Sequence, residues 1–117
     1  MKSQPFEADV RFQPEAATID LHGEINAFAE AALTAAYNQA ETQDPAVVVL
    51  NFQEVTYINS TGIALIVGLL AQARKSRRKL LVVGLSDHYV EIFKITRLAD
   101  FMSIFQDETS ALQGMKT

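Results

Sequence analysis

Two apolar segments on either side of an apolar helix-like run constrain the fold most. Val47–Phe52 and Leu80–Gly84 have the length and composition of strands that are buried on both faces of a sheet. Between them lies Ile63–Ala71, which contains no charged side chain. Two such strands joined through a helix are parallel neighbours linked by a right-handed crossover. The sequence therefore predicts an α/β fold with a mixed sheet.

The segment before this unit predicts a β-hairpin followed by a helix. Apolar and polar residues alternate over Phe6–Phe12 and again over Ala17–Leu21, with a turn at Gln13–Ala16, as expected of paired, half-exposed strands. An alanine-rich helix is predicted over about 27–42, and Asp44-Pro45 ends it. We expect this helix to lie close to the sheet through a stripe at helical spacing, formed by Phe28, Ala31, Ala32, Ala35 and Ala36.

The remaining elements extend the alternation of helices and strands. Val47–Phe52 is followed by a short connection, Gln53–Ile58, and then by a helix over about 60–77. After the second apolar strand, Ser86-Asp87 can cap a helix over about 88–97. A short strand near 102–105 and a last helix from Asp107 give about four helices in all.

Composition limits the function classes. A chain of 117 residues that is 49% apolar and 21% charged is expected to form a single globular domain over residues 1–117. It has no cysteine, which excludes disulfides, thiolate nucleophiles and cysteine metal sites. The first seven residues lack the apolar segment of a secretory signal, and no apolar run approaches the roughly 20 residues that span a bilayer. We therefore expect a cytoplasmic protein without membrane insertion.

Catalytic and metal-binding patterns are absent from the sequence. His22 and His88 are the only histidines, and neither lies in a metal-ligand spacing. Ser60 lacks the surroundings of a nucleophile elbow, and the glycines do not form a phosphate-binding loop before a lysine. We expect a protein that is not an enzyme and needs no cofactor. The net charge of −4 argues against direct binding of nucleic acid.

Half of the basic residues are concentrated in one short segment, Arg74–Lys79, which contains five of the ten. Cations at the end of a helix complement its dipole, so a solvated helix C-terminus accounts for this cluster. The alternatives are an acidic partner or anionic lipid headgroups.

The tetrapeptide Asn59-Ser60-Thr61-Gly62 places a small hydroxyl residue where a strand gives way to a helix. With Asn59 as the N-cap, Ile58 and Ile63 occupy the positions of a hydrophobic staple. Ser60 is then the first helical residue, and its hydroxyl is not needed for capping. Free backbone N–H groups and the helix dipole favour an added negative charge there. The residues thus allow either a phosphoacceptor or an ordinary helix start.

The helix that begins here is apolar beyond a single face. Ile63, Ile66, Val67 and Leu70 predict its core stripe, whereas Leu65 and Leu69 lie largely off that stripe. Either the helix is deeply buried, or the second set belongs to a partner-binding surface beside Ser60. For the second case we assign Leu65, Leu69 and Gln72 to partner binding.

Three motifs, taken in their order along the chain, resemble those of the STAS domain, the fold of bacterial anti-sigma-factor antagonists. Leu21–Asn26 reads LHGEIN and is similar to the family's L-x-G-E-L-D. Val55–Gly62 reads VTYINSTG and is similar to V-x-F-I-D-S-S/T-G. Ile92–Phe101 reads IFKITRLADF and is similar to lF-x-x-T-x-L-x-x-x-F. The resemblance covers nearly the whole chain and implies a STAS-like fold.

The resemblance implies a function as a binding switch. The family's phosphoacceptor serine falls on Ser60, with Asn26, Asn59, Thr61 and Gly62 as its surroundings. The implied partners are a serine kinase that also serves as the anti-sigma factor, bound only when Ser60 is unphosphorylated, and a PP2C-type phosphatase. The alternative is a constitutive STAS subunit of a lipid-transporting ABC complex or of a stress-signalling scaffold, in which Ser60 is only structural.

The sequence departs from the family pattern at two acidic positions. Asn59 and Asn26 stand where the family has acidic residues, so two negative charges are lost while the hydrogen-bonding capacity is kept. A neighbouring carboxylate would repel a phosphate of about −1.5 to −2 charges. We therefore expect partner choice or dephosphorylation rate, rather than phosphorylation itself, to differ.

Overall fold

The computed structural model describes residues 5–115, and its elements follow the predicted order. The expectation that no secretory signal is present rests largely on residues 1–4, which lie outside this range. The strands are β1 (Glu7–Gln13), β2 (Ala16–Ile25), β3 (Val47–Ile58), β4 (Lys79–Val83) and β5 (Ser103–Phe105), and the α-helices are α1 (Glu30–Glu41), α2 (Ser60–Lys75), α3 (Asp87–Ile95) and α4 (Glu108–Met115). Single 3₁₀ turns lie at Ala27–Ala29 and Leu98–Asp100.

The five strands form one mixed sheet in the order β1-β2-β3-β4-β5. β1 and β2 are antiparallel, which confirms the opening hairpin. The pairs β2–β3, β3–β4 and β4–β5 are parallel, which confirms the predicted relation of the two apolar strands. The fold class predicted from the sequence is confirmed.

β3 is longer than its apolar segment. Its first five residues, Val47–Asn51, pair with β4 on one side and β2 on the other. Beyond them the strand continues to Ile58 and pairs only with β2, so the predicted connection Gln53–Ile58 is wrong. Because β4 does not reach this part of the sheet, most of these residues are exposed, and the continuous apolar run that marks the strand in the sequence ends at Phe52.

Helices cover the two faces of the sheet unequally. The larger core lies between the sheet and α1, α2 and α3, and contains Leu50 of the central strand β3. The smaller core on the other face contains Val49 together with Ala111 of α4. Alternate residues of β3 thus point into different cores, as the pleat of a strand requires. The even burial of β3 explains why its sequence lacks alternation.

α4 is attached to the sheet partly by charge. The Arg11 guanidinium of β1 donates to the Asp20 carboxylate at 2.9 Å and to the Glu108 carboxylate of α4 at 2.6 Å. Asn51 also donates to Asp20, at 2.9 Å. The hydrogen bond from Arg11, more than that from Asn51, holds the pKa of Asp20 below its usual range.

α1 faces the sheet with a different stripe from the predicted one. Phe28 is 94% exposed and lies in the 3₁₀ turn before the helix, while the buried residues include Leu33 and Tyr37. Burying these larger side chains removes more apolar area from water than burying alanines would. Of the predicted stripe, Ala36 is buried, whereas Ala31, Ala32 and Ala35 are exposed.

Candidate functional site

The candidate site lies where strands β2 and β3 end side by side. The parallel register pairs Ile25 at the end of β2 with Ile58 at the end of β3. Each strand is followed by an asparagine, and the Asn59 N–H donates to the Ile25 carbonyl at 3.2 Å. The sheet therefore brings Asn26 and Asn59 together although 32 residues separate them in the chain.

Asn59 is the N-cap of α2, as its spacing to the staple residues predicts. Its backbone is extended, and its side-chain Oδ1 accepts a hydrogen bond from the Gly62 N–H at 2.8 Å. Its carbonyl accepts the Ile63 N–H at 2.9 Å, which starts the helix. Ser60 consequently occupies the first helical position, and its side chain is exposed.

Asn26 has the same role at the end of β2. Its Oδ1 accepts the Phe28 N–H at 2.9 Å and caps the 3₁₀ turn, while its Nδ2 donates to the Glu24 carboxylate at 3.2 Å. An aspartate here would keep the cap, lose the bond to Glu24 and add a like charge beside it. The neutral amide of Asn26 is therefore better suited than a carboxylate to its position beside Glu24.

Gly62 allows the start of α2 to pack directly against the end of β2. A Cβ atom at this position would lie 2.1 Å from the Ile25 carbonyl oxygen and 2.9 Å from Cγ2 of Ile58. No side chain larger than a hydrogen fits without moving backbone. The close approach fixes the position of the turn that carries Ser60 and Thr61, both of which are exposed.

Tyr89 supports the site from α3, a contact that sequence reasoning missed. Its hydroxyl oxygen accepts the Ile58 N–H at 2.9 Å, so the last residue of β3 has a partner beyond the sheet. The predicted cap of α3 is confirmed, since Ser86 accepts from the Tyr89 N–H. That cap was the available signal, because it places Tyr89 in the first turn of a helix that begins near the same edge of the sheet.

The partner-binding residues expected on α2 do not share one exposed surface. Leu69 is only 6% exposed and packs in the larger core, so its assignment to partner binding is wrong. Leu65 is partly buried, and Gln72 donates to the Glu41 carboxylate of α1 at 3.1 Å. The buried face of α2 consists instead of Gly62, Ile66, Leu69, Leu70 and Ala73.

The rotation of α2 follows from the contact of Gly62 with β2. Residues four, seven, eight and eleven positions after Gly62 lie on the same face of a helix, and these are the buried ones. Val67, predicted to be in the core, is 44% exposed. Ile63 is only partly buried.

The helix turn that carries Ser60 has no negative charge of its own. The first turn of α2 contains no acidic side chain, and its backbone N–H groups have no acceptor within the helix. Within residues 5–115, no group of three or more histidine, aspartate or glutamate side chains could hold a metal ion. Over the same residues no helix is long and apolar enough to cross a bilayer. The geometry offers an exposed hydroxyl at a positive helix end.

Comparison with known proteins agrees with the family that the motifs resemble. The model of the STAS domain matches residues 7–111. The anti-sigma-B factor antagonist of Listeria monocytogenes is 32% identical over 82 residues, which cover 70% of this chain and 72% of that protein. An anti-sigma factor antagonist from Mycobacterium paratuberculosis has the same fold, with a TM-score of 0.83 at 18% identity over 99% of this chain and 100% of that one.

A further structural relative has been solved in two modification states. The anti-sigma factor antagonist SpoIIAA in its unphosphorylated form gives a TM-score of 0.72 at 18% identity, over 96% of this chain and 98% of that chain. The Bacillus cell fate determinant SpoIIAA in the phosphorylated form gives 0.70 at 20% identity, over 95% and 99%. With the family model covering most of its length, the chain belongs to the STAS domain family.

Proposed function

We propose that this protein is an anti-sigma-factor antagonist whose binding is controlled by phosphorylation of Ser60. The observation that carries the proposal is the exposed Ser60 hydroxyl at the first position of α2, with the cap supplied by Asn59. A relative named as an anti-sigma-B factor antagonist supports the class of function. In this function the protein is a regulatory binding module of the bacterial cytoplasm and catalyses no reaction itself.

The partner is a serine kinase that also acts as the anti-sigma factor, and a PP2C-type phosphatase restores the unmodified state. The unmodified protein presents Ser60 and its neighbour Thr61 on an exposed turn, and the 3₁₀ turn that follows β2 presents Phe28, which is 94% exposed. An exposed aromatic ring is a suitable anchor for a partner. Leu65 and Gln72, further along α2, remain the proposed outer part of this surface.

Phosphorylation would change this surface without opposing the fold. A phosphate on Ser60 would lie at the positive end of α2, where backbone N–H groups favour negative charge. The added charge of about −1.5 to −2 would have to be desolvated when the partner docks. The modified protein would therefore stay folded and lose its partner.

The two amides tune this switch in our proposal. Aspartate at position 59 would still cap α2 but would place a carboxylate beside the phosphate, whereas Asn59 does not. Asn59→Asp and Asn26→Asp should therefore change the dephosphorylation rate or the partner affinity. Equal rates and affinities in the wild type and both variants would contradict this part of the proposal.

Intact mass after incubation with ATP and the cognate kinase tests the modification. We expect a gain of one phosphate, about 80 Da, that is absent in Ser60→Ala and retained in the matched control Thr61→Ala. Partner binding is then measured on the two mass forms separately. A gain of mass that persists in Ser60→Ala, or equal binding by both forms, would contradict the proposal.

A constitutive STAS subunit, in a lipid-transporting ABC complex or a stress-signalling scaffold, is the second candidate. It is favoured by the commitment of both amides to caps, since Asn26 and Asn59 each hold a helical turn in place. In that case no cognate kinase modifies the protein, and Ser60→Ala and Ser60→Asp bind the partner complex as the wild type does.

A further inference from the structure

An apolar groove lies between α2 and the segment that follows α3, away from Ser60. Its volume is about 350 Å³, and its main lining residues are Val67, Leu70, Ala71, Arg74, Leu98 and Phe101. On α2 the lining runs from Val67 to Arg74, which begins roughly 10 Å along the helix from Ser60. We call this feature the α2–α3 groove.

The α2–α3 groove leaves large apolar side chains in water. Val67 is 44% exposed on one wall, and Phe101 is 54% exposed on the other. Isolated apolar side chains on a surface are common. A groove lined by several of them favours binding, because a ligand that covers it removes their apolar surface from water.

The charge at one end of the groove is positive. The Arg74 guanidinium lies 5.1 Å from the centre of the Phe101 ring and pairs with no carboxylate of the described residues. Arg97, on the other wall, is already bound to Asp100 at 2.5 Å. No carboxylate of the described residues occupies the N–H groups of Arg74, so these donors are available to an anion.

The size of the groove selects among anionic occupants. A partner helix, roughly 10–12 Å across, could place only isolated side chains in the groove. A single alkyl chain could lie in the groove along its whole length. Apolar walls with one cation at the end match a chain that carries one anionic group.

We propose that the α2–α3 groove binds a single-chain fatty carboxylate, with its alkyl chain between Val67 and Phe101 and its carboxylate on Arg74. The site is separate from Ser60, so this inference does not depend on the proposed phosphorylation switch. It also gives Arg74, the first residue of the basic cluster, a role beyond the dipole of α2.

Titration of the ¹⁵N-labelled full chain with octanoate, decanoate and dodecanoate below their micelle concentrations tests the proposal. We expect amide shifts confined to the groove, with affinity rising by up to about fourfold, the value for complete burial, for each added methylene. Dodecylamine is the control for charge. Because the protein carries a net charge of −4, general electrostatics favours the amine, and a preference for the carboxylate requires a local cation.

Two variants and a matched control locate the site. Arg74→Gln should weaken dodecanoate binding about three- to tenfold, since it removes one charged hydrogen-bonding partner at a partly exposed position. Ala71→Trp should fill the groove and abolish binding, and its exposed position should leave folding intact. Lys75→Gln removes a neighbouring charge that does not line the groove and should leave the affinity unchanged.

The proposal is overturned if dodecylamine binds as well as dodecanoate, or if Arg74→Gln leaves the affinity unchanged. Shifts that spread to the distant exposed ring of Phe28 would show unspecific adsorption and overturn it as well. An acidic leucine-containing peptide that shifts the groove residues when dodecanoate does not would identify a protein-docking surface instead.

Discussion

Replacing Gly62 by alanine should separate the effect of close packing from that of helix propensity. The added Cβ would lie 2.1 Å from the Ile25 carbonyl oxygen, a distance that real Cβ atoms do not reach. The first turn of α2 and the end of β2 must then separate by roughly 1 Å. That movement strains the Asn59 N–H bond to Ile25 at 3.2 Å and the cap between Asn59 and Gly62 at 2.8 Å.

The magnitude follows from opposing terms. Overpacking costs about 1–3 kcal/mol and each weakened hydrogen bond up to about 1 kcal/mol, while the higher helix propensity of alanine returns at most about 1 kcal/mol. Gly62→Ala should therefore lower the free energy of unfolding by about 1–3 kcal/mol. Gly68→Ala, on the same helix, is the matched control. A Cβ atom at Gly68 would have no atom within 4 Å apart from the neighbouring backbone of its own helix. It should raise the free energy by about 0.5–1 kcal/mol.

Urea unfolding followed by circular dichroism measures both variants. A gap of about 1.5–4 kcal/mol between them corresponds to about 6–16 °C in Tm for a domain of this size. Equal stability of Gly62→Ala and Gly68→Ala would refute the claim that the turn carrying Ser60 is locked against Ile25.

Three further predictions concern the capping residue, the tyrosine contact and the charged attachment of α4. Asn59→Ala should lower the free energy of unfolding by about 1 kcal/mol and Asn59→Asp should leave it nearly unchanged, as thermal unfolding will report; equal losses in both would argue against the cap. Tyr89→Phe should remove the only side-chain partner found for the Ile58 N–H among the described residues. It should lower the free energy of unfolding by about 1–3 kcal/mol and speed hydrogen exchange at that amide, and unchanged exchange would contradict the contact. The folded-state pKa of Asp20 lies below its unfolded value near 3.8, so its contribution is present above that pH and is lost as the pH falls through the folded-state pKa. In pH-dependent urea unfolding, Arg11→Gln should thus be least stable relative to the wild type near neutral pH, and a constant difference down to pH 2 would contradict the pairing.

The order and type of the elements could be predicted because their signals are local. Val47–Phe52 carries the apolar run of a strand buried on both faces, and the hairpin carries strict alternation. The cap at Asn59 was equally readable, since it depends on residues within one turn. That Asn26 lies near Asn59 was implied only by the resemblance of the motifs, because the sequence predicted no pairing between the second and third strands.

The orientation of the helices could not be predicted because both helices are apolar on more than one face. In α1 the decisive term is the size of Leu33 and Tyr37 against that of the alanines. In α2 the rotation depends on the contact between Gly62 and Ile25, which joins segments distant in the chain. The contact from Tyr89 to β3 is missed for the same reason: the Ser86 cap places Tyr89 in the first turn of α3, but its partner Ile58 lies 31 residues earlier in the chain.

The contact between Gly62 and Ile25 has a consequence for how a signal at Ser60 can be read. The turn packs against Ile25 of β2 and Ile58 of β3, both of which are buried in the larger core. Amide hydrogens in core strands exchange through the least frequent openings, whereas switch segments that melt and reorder come from the least stable parts of a protein. A charge placed on Ser60 would therefore alter a rigid face, and the free protein would have nearly the same shape before and after. The partner would then distinguish the two forms by the charge on Ser60 and not by a change of shape. The rate of switching would be set by the modifying enzymes and not by refolding.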